Sequence, residues 1–178
     1  MPETIGIARL SPTLDYSVET LTDRVASKFP TYQVRSLGTI DVPAMAFDSF
    51  RNQYHSTRIL AGLEASPQVD LVEYVLGVID LDLYVPGMNF VFGEARCPGR
   101  VAVISTYRLQ PDGSDHLDLF ESRIVKEAVH EIGHMLGLKH CSKASCVMHF
   151  SESIADTDRK KDRFCSECGP KMKLLEIE

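Results

Sequence analysis

Thr4-Ile5-Gly6-Ile7-Ala8 is a short apolar run without helical spacing and reads as a first buried strand. Val18, Leu21, Val25 and Phe29 then recur at intervals of three and four, which predicts an amphipathic helix from about Ser17 to Lys28. Strand followed by helix suggests the start of a βαβ unit. Tyr32 to Leu37 reads as the next strand, and Thr57 to Ala65 as a second helix after a polar loop through Asn52 and Tyr54. Leu71 to Tyr84 contains a further strand, strongest at Tyr74 to Ile79. Val101 to Tyr107 reads as another buried strand, and Asn89 to Gly93 as a short one between glycine and proline signals.

Pro111-Asp112-Gly113-Ser114 is a turn, and beyond it the pattern becomes helical again. Asp118 with Glu121 three residues on predicts a capping box at the head of a helix from about Leu119 to Leu136. Leu119, Ile124, Val125, Ala128, Val129, Ile132 and Leu136 give this helix a broad apolar face against the sheet. The run Asp156 to Arg163 is dense in charge of both signs and reads by default as a solvated helix or loop.

Composition narrows the class without fixing it. The 178 residues, 44% hydrophobic and 25% charged, suit one globular domain with a sizeable core. A formal charge of -6 argues against a nucleic-acid footprint, and no apolar run is long enough to span a bilayer. The start, Met1-Pro2-Glu3-Thr4, lacks the basic and apolar regions of a secretory signal, so a reducing, cytoplasmic compartment is expected. No segment long enough to cover a cleft is expected ahead of the domain, and no repeat or low-complexity tract appears.

The chemistry lies at the end of the long helix. His130 to His140 has the spacing H-E-x-x-H-x-x-G-x-x-H. Residues four apart share a helix face, so His130 and His134 can offer two imidazole nitrogens to one cation. Gly137 sits where a left-handed residue would end the helix and bring His140 round as a third ligand. Three imidazoles with an open fourth position describe a catalytic zinc site. Glu131, next to the first ligand, is free to act on the water there as general base, and peptide-bond hydrolysis is the expected reaction.

A second constellation follows. Cys141 and Cys146 are separated by four residues, and Cys165 and Cys168 form a C-x-x-C pair. Two short spacings joined by a loop suit a closed, four-thiolate structural zinc; two disulfides or a redox-active Cys165-Cys168 pair are the other readings. Cys97 is the odd thiol left over, either unremarkable or facing the catalytic zinc as a blocking cysteine. His55 and His116 read as surface residues, and His149 either lines a cleft or faces solvent.

The extended histidine motif, a cysteine directly after the third histidine, C-x-x-x-x-C-x-M and then C-x-x-C closely resemble an archaemetzincin between His130 and Cys168. The resemblance implies an α+β (α/β-like) metzincin fold, with a twisted mixed sheet, backing helices and a small zinc-stapled C-terminal region. The single catalytic domain would divide into an upper portion spanning residues 1-137 and a lower portion spanning residues 138-178. Carried over by position, the resemblance makes His130, His134 and His140 ligands of the catalytic zinc and Glu131 the base. Met148 becomes the Met-turn residue, and Cys141, Cys146, Cys165 and Cys168 hold a second zinc. In place of the Met-x-Tyr of astacin-like members stands Met148-His149-Phe150, and Phe150 has no oxygen to offer a metal. Metzincin clefts are usually roofed by an edge strand that pairs with an extended peptide, for which Met88 to Gly93 is the candidate; the alternative is a buried strand touching no substrate. The expectation is a monomeric zinc metallopeptidase acting on a peptide or protein, with two zinc ions per chain. The alternative is a zinc-organised binding or regulatory module that hydrolyses little, against which an intact Glu131 speaks.

Overall fold

In chain order the elements are β1 (Thr4–Arg9), α1 (Val18–Ala26), β2 (Gln33–Thr39), β3 (Phe47–Asp48), β4 (Gln53–His55), α2 (Ser56–Glu64), β5 (Tyr74–Ile79), β6 (Leu83–Tyr84), β7 (Gly93–Ala95), β8 (Val101–Ser105), α3 (Leu117–Met135), α4 (Ile154–Arg159) and α5 (Cys168–Leu175). The computed structural model describes residues 2–11, 13–113 and 116–175. Five strands make one sheet in the order β2-β1-β5-β8-β7; the first four run parallel, and β7 runs antiparallel to β8. Continuous apolar runs in β5 and β8 are the mark of parallel strands covered on both faces.

Alternation along each strand builds two cores. Ile5, Ile7, Leu76, Val78, Ala102 and Ile104 pack with Leu21 and Val25 of α1 and Ile124 and Ala128 of α3. Ala8, Val75, Ile79, Val101 and Val103 point the other way, onto Ile59, Leu60 and Leu63 of α2. Helix α1 begins where the sequence predicts, because the Ser17 hydroxyl accepts the Thr20 N–H at 3.1 Å. Cys146, Val147, Met148, Cys168 and Met172 belong to the α1/α3 core, so residues beyond 137 share apolar packing with those before it. Among the described residues no helix is long and apolar enough to cross a membrane.

Four expectations need correction. The polar stretch through Asn52 and Tyr54 carries strand pairing: β4 lies between β3 and β6, and Asn52 takes the left-handed position at the hairpin tip (φ 52). So short a strand leaves no readable alternation. The edge strand is Gly93–Ala95 rather than Met88 to Gly93 or Asn89 to Gly93; pairing starts only where the chain reaches β8, with Gly93 opposite Ile104 and Ala95 opposite Ala102. Before that point Val91 makes one bridge to Leu83.

The long helix begins at Leu117 with no capping side chain, which places Asp118 inside its first turn; Glu121 is instead bound by Arg24, Nε to Oε1 at 2.5 Å. Leu119 is consequently exposed rather than part of the apolar face. Gly113 has the positive φ of a turn (90°), while Ser114 lies outside the described residues. Last, the charged run Asp156 to Arg163 is solvated on one side only: Asp158, Arg159, Lys161 and Arg163 are exposed, and the rest turns inward. Thr157 and Lys160 are completely buried, Arg123 of α3 forks onto Asp158 at 2.7 and 2.8 Å, and Lys28 reaches Asp162 at 2.6 Å. Alternating signs in that run match charges on the elements it packs against.

Candidate active site

Helix α3 brings His130 and His134 one above the other, with their Nε2 atoms 3.1 Å apart. The helix ends at Met135, and Gly137 takes φ 97, a left-handed conformation that only glycine adopts without strain. The chain turns there and returns His140, whose ring centroid lies 5.4 Å from that of His130 and 4.7 Å from that of His134. One nitrogen from each of the three rings lies within 4.8 Å of the others.

Backbone carbonyls fix two of these rings. His130 Nδ1 donates to the Val147 oxygen and His134 Nδ1 to the Leu138 oxygen, both at 2.7 Å. With Nδ1 occupied, each neutral ring turns the lone pair of Nε2 toward the other. Two lone pairs at 3.1 Å repel unless a cation lies between them. Two nitrogens bound tetrahedrally to zinc at about 2.0–2.1 Å would stand roughly 3.3 Å apart, so the spacing suits that ion. Burial pushes all three imidazoles below the ordinary histidine range, favouring the neutral, ligating form.

Glu131 is 4% exposed, and its Oε2 has no hydrogen-bond partner. Burial, followed by the nearby Glu127 carboxylate, drives its pKa well above the usual carboxylate range, while Lys160 pulls it back. An orphaned buried carboxylate oxygen beside three converging imidazoles is a site prepared for groups that the protein itself does not provide. Met148 lies beneath, fully buried. Gly133 makes room for it: a Cβ there would stand 2.5 Å from the Met148 sulfur and 3.3 Å from the Phe164 ring.

The histidines open onto a cleft of about 700 Å³. Edge strand β7 forms one wall through Gly93, Glu94 and Ala95; Phe92 and Phe150 make the wall partly apolar, and Lys139 adds a cation. Phe150 sets its ring 4.9 Å from that of His140 at a tilt of 49°, an apolar contact where a tyrosine would have brought an oxygen. Glu94 is held by the hydroxyls of Ser56 and Thr57.

Sequence reasoning passed over Glu127, which lines the same cleft. It lies one helical turn before Glu131, so the helical period carried the signal. Its partner Lys160 is fully buried, with Nζ 3.0 Å from Glu127 Oε1 but off the line for a hydrogen bond; the same oxygen accepts the Thr157 hydroxyl at 2.9 Å. That pairing crosses 33 positions and left no mark in the sequence.

Cys97 lines the cleft too, yet its sulfur turns to the Leu138 carbonyl at 3.5 Å and is not one of the converging ligand atoms. His149 stays out of the cleft, with Nδ1 3.0 Å from the Cys141 carbonyl. His55 packs its ring against Tyr84, and His116 stands exposed at the head of α3. The other four cysteines gather behind the histidine loop. Their sulfurs lie within 4.8 Å of one another, and all are free thiols. Cys141 and Cys165 are 3.8 Å apart, close to the roughly 3.8 Å edge of a thiolate tetrahedron with zinc–sulfur bonds of about 2.3 Å. Burial raises the Cys165 thiol, but backbone N–H groups of Cys168 and Glu167 and the neighbouring thiols outweigh it and bring the pKa down to about 6.

Comparison with known proteins gives the family. Residues 18–174 match the model of peptidase family M54. An archaemetzincin of Archaeoglobus fulgidus is 45% identical over 158 residues, covering 89% of this chain and 92% of that one. The crystal structure of the Methanopyrus kandleri archaemetzincin superimposes with a TM-score of 0.88 at 34% identity, over 99% of this chain and 96% of that one. A zinc-dependent peptidase of Methanocorpusculum labreanum superimposes with a TM-score of 0.83 at 28% identity, over 94% of this chain and 99% of that one. With family match, fold and histidine geometry in agreement, the chain belongs to peptidase family M54, among the archaemetzincins, and is a zinc metallopeptidase.

Proposed function

We propose that His130, His134 and His140 hold the catalytic zinc and that Glu131 is the general base and acid of peptide-bond hydrolysis. The observation that carries this reading is the pairing of three converging imidazoles with the buried, unpartnered Glu131 Oε2. Bound zinc supplies a Lewis acid for the scissile carbonyl and a water acid enough to ionise near neutral pH. Glu131 receives the proton of the attacking water on Oε2 and delivers it to the nitrogen of the departing amine. Val147 and Leu138 fix two of the histidine rings through their carbonyls. Strand β7 ends the sheet, and its outer edge offers backbone groups to an extended substrate peptide. Phe92 and Phe150 exclude water from one side of the cleft.

Cys141, Cys146, Cys165 and Cys168 hold a second, structural zinc in this reading, and the metal count is two per chain. Four free thiols whose sulfurs lie within 4.8 Å of one another favour metal over disulfides or a redox pair. Such thiols fit a reducing compartment, and the cytoplasm is the location we assign. We treat the chain as one monomeric catalytic domain, with residues 1–137 above the cleft and residues 138–178 below it, acting on a peptide or protein and not on nucleic acid. A pure binding module has no use for a buried carboxylate at position 131, and no observation among the described residues favours it.

Elemental analysis and a peptide-library digest test the proposal together. Wild type and Glu131→Ala are both expected to carry two zinc ions per chain, with a chelator stripping the histidine-bound ion first. The variant is expected to lose at least about 10²–10⁴-fold in hydrolysis. Wild-type rates in Glu131→Ala would remove the proposed base, and a single metal per chain would remove the four-thiolate site.

A further inference from the structure

The sheet has a second crevice, away from the histidines. From the C-terminal end of β1 the chain leaves toward α1 and outer strand β2, while from the C-terminal end of the adjacent β5 it leaves toward β6 and β8 on the other side. Helices α1 and α2 accordingly cover opposite faces. Where the winding of a parallel sheet reverses in this way, the loops diverge and leave a crevice outside the carboxyl ends of the strands, the usual ligand position in such folds.

A cavity of about 440 Å³ opens at this point and shares no lining residue with the metal cleft. Thr13 and Tyr16 come from the loop after β1, Asp80 follows β5, Thr106 follows β8, and His116 and Phe120 come from the head of α3. Its size exceeds the roughly 30 Å³ of one water many times over and lies within the range of small-molecule sites.

Two polar atoms of its lining residues, the Tyr16 hydroxyl oxygen and Asp80 Oδ1, are buried and have no partner. The Asp80 carboxylate is anchored through its other oxygen, which accepts the Thr13 hydroxyl at 2.8 Å; that hydroxyl also lies 2.8 Å from the Ser11 hydroxyl. A carboxylate oxygen accepts only, so its missing partner is a donor. Asp15 adds a second acid to the lining, and no lysine or arginine is among its described residues. Two arginines of neighbouring segments are committed elsewhere: Arg9 donates to the Leu14 and Tyr16 carbonyls, and Arg24 is bound to Glu121. Tyr16 and Phe120 meet edge to face with centroids 6.0 Å apart and form an apolar side. A bare metal ion fits poorly, because among the described residues the groups of three or more converging ligand atoms are the histidine and cysteine sets alone.

We propose that this crevice binds a small organic cation, an ammonium or guanidinium group, with Asp80 Oδ1 accepting its N–H, the Tyr16 hydroxyl completing the polar contacts and Phe120 against its carbon stem. The site is separate from the peptidase cleft, and its ligand is read by charge, donor count and an aromatic wall.

Calorimetric titration of the purified, zinc-loaded chain checks it, with putrescine as a free amine, an acetylated lysine tripeptide amide as a protein side chain, and glycerol and magnesium chloride as controls. One putrescine or one peptide is expected to bind per chain, the tighter of the two naming the source. Asp80→Asn is expected to weaken that binding at least tenfold and Tyr16→Phe less, with zinc content and peptide hydrolysis unchanged in both. No saturable binding of either cation, an equal response to glycerol or magnesium, or undiminished binding in Asp80→Asn would overturn the proposal. Should Asp80→Asn fail to fold, Asp15→Asn on the exposed loop takes its place, with weakened binding expected and wild-type binding counting against the site.

Discussion

Gly133 shows how much one missing methyl group decides. In the string His130-Glu131-Ile132-Gly133-His134 it reads as a weak point in a helix, and its reason for being there lies 15 positions away, in a buried methionine sulfur. Alanine would gain about 0.8–1 kcal/mol of helix propensity. It would also press into the end of the Met148 side chain, which is fully buried, and overpacking of this kind costs about 1–3 kcal/mol. The second effect is the larger, so Gly133→Ala is expected to lower the urea midpoint and to loosen zinc through the displaced Met148. An unchanged midpoint would show that the methionine yields freely. The five positions of the histidine motif were legible without any structure, because a helix fixes the geometry of residues four apart and a glycine just past its end marks the turn that returns His140. Glu127 obeyed the same period but lacked a motif to draw attention to it.

Among the elements, α4 and the residues after it departed furthest from expectation. Mixed charge usually means solvent, and nothing local distinguishes Lys160 from Lys161. Their fates differ because α3 presents Glu127 to one of them, at 3.0 Å in a fully buried setting. Lys160→Ala would leave the Glu127 carboxylate buried without its countercharge. Losing one partner of a buried pair costs about 3–5 kcal/mol, and a matching drop in unfolding free energy is expected in urea. Lys161→Ala is the control; equal effects of the two would mean that burial of Lys160 contributes nothing. Strand β7 shows the same dependence on a partner. The apolar residues from Met88 onward promised a strand, yet pairing appears only from Gly93, where β8 lies alongside. By contrast β1, β5, β8 and α1 were readable almost to the residue, since their hydrophobic periods are set by burial on a whole face.

For the molecule as a whole, the proposed zinc site sets metal and proton in competition for the same nitrogens. In the metal-free fold, burial lowers the His130 pKa well below its ordinary value of 6.5. A histidine whose folded pKa is depressed binds fewer protons folded than unfolded, so stability falls as pH drops below about 6.5 and continues to fall toward the folded pKa. Glu131 works in the opposite sense: its raised pKa removes stability as pH climbs above the ordinary carboxylate value of 4.5. The apo protein is therefore expected to be most stable near neutral pH if the histidines dominate. Urea unfolding of metal-free protein at pH 7.5, 6.5 and 5.5 measures the balance, and stability rising toward pH 5.5 would show that Glu131 outweighs the three imidazoles. Zinc is expected to leave over the same acid range, since protonated imidazole cannot ligate.

The sequence alone determined what depends on neighbours along the chain: the helix that carries His130 and His134, the left-handed turn at Gly137, the paired cysteine spacings and the buried parallel strands. Tertiary structure decided whatever joins distant segments. It placed Glu94 at the rim of the cleft, seated Lys160 on Glu127, turned Cys97 toward a carbonyl and opened a crevice between β1 and β5. Backbone geometry repeats every few residues and so writes itself into local patterns. A contact between residues far apart in the chain depends on how whole elements pack, and the same side chains in the same order are silent about it until they do.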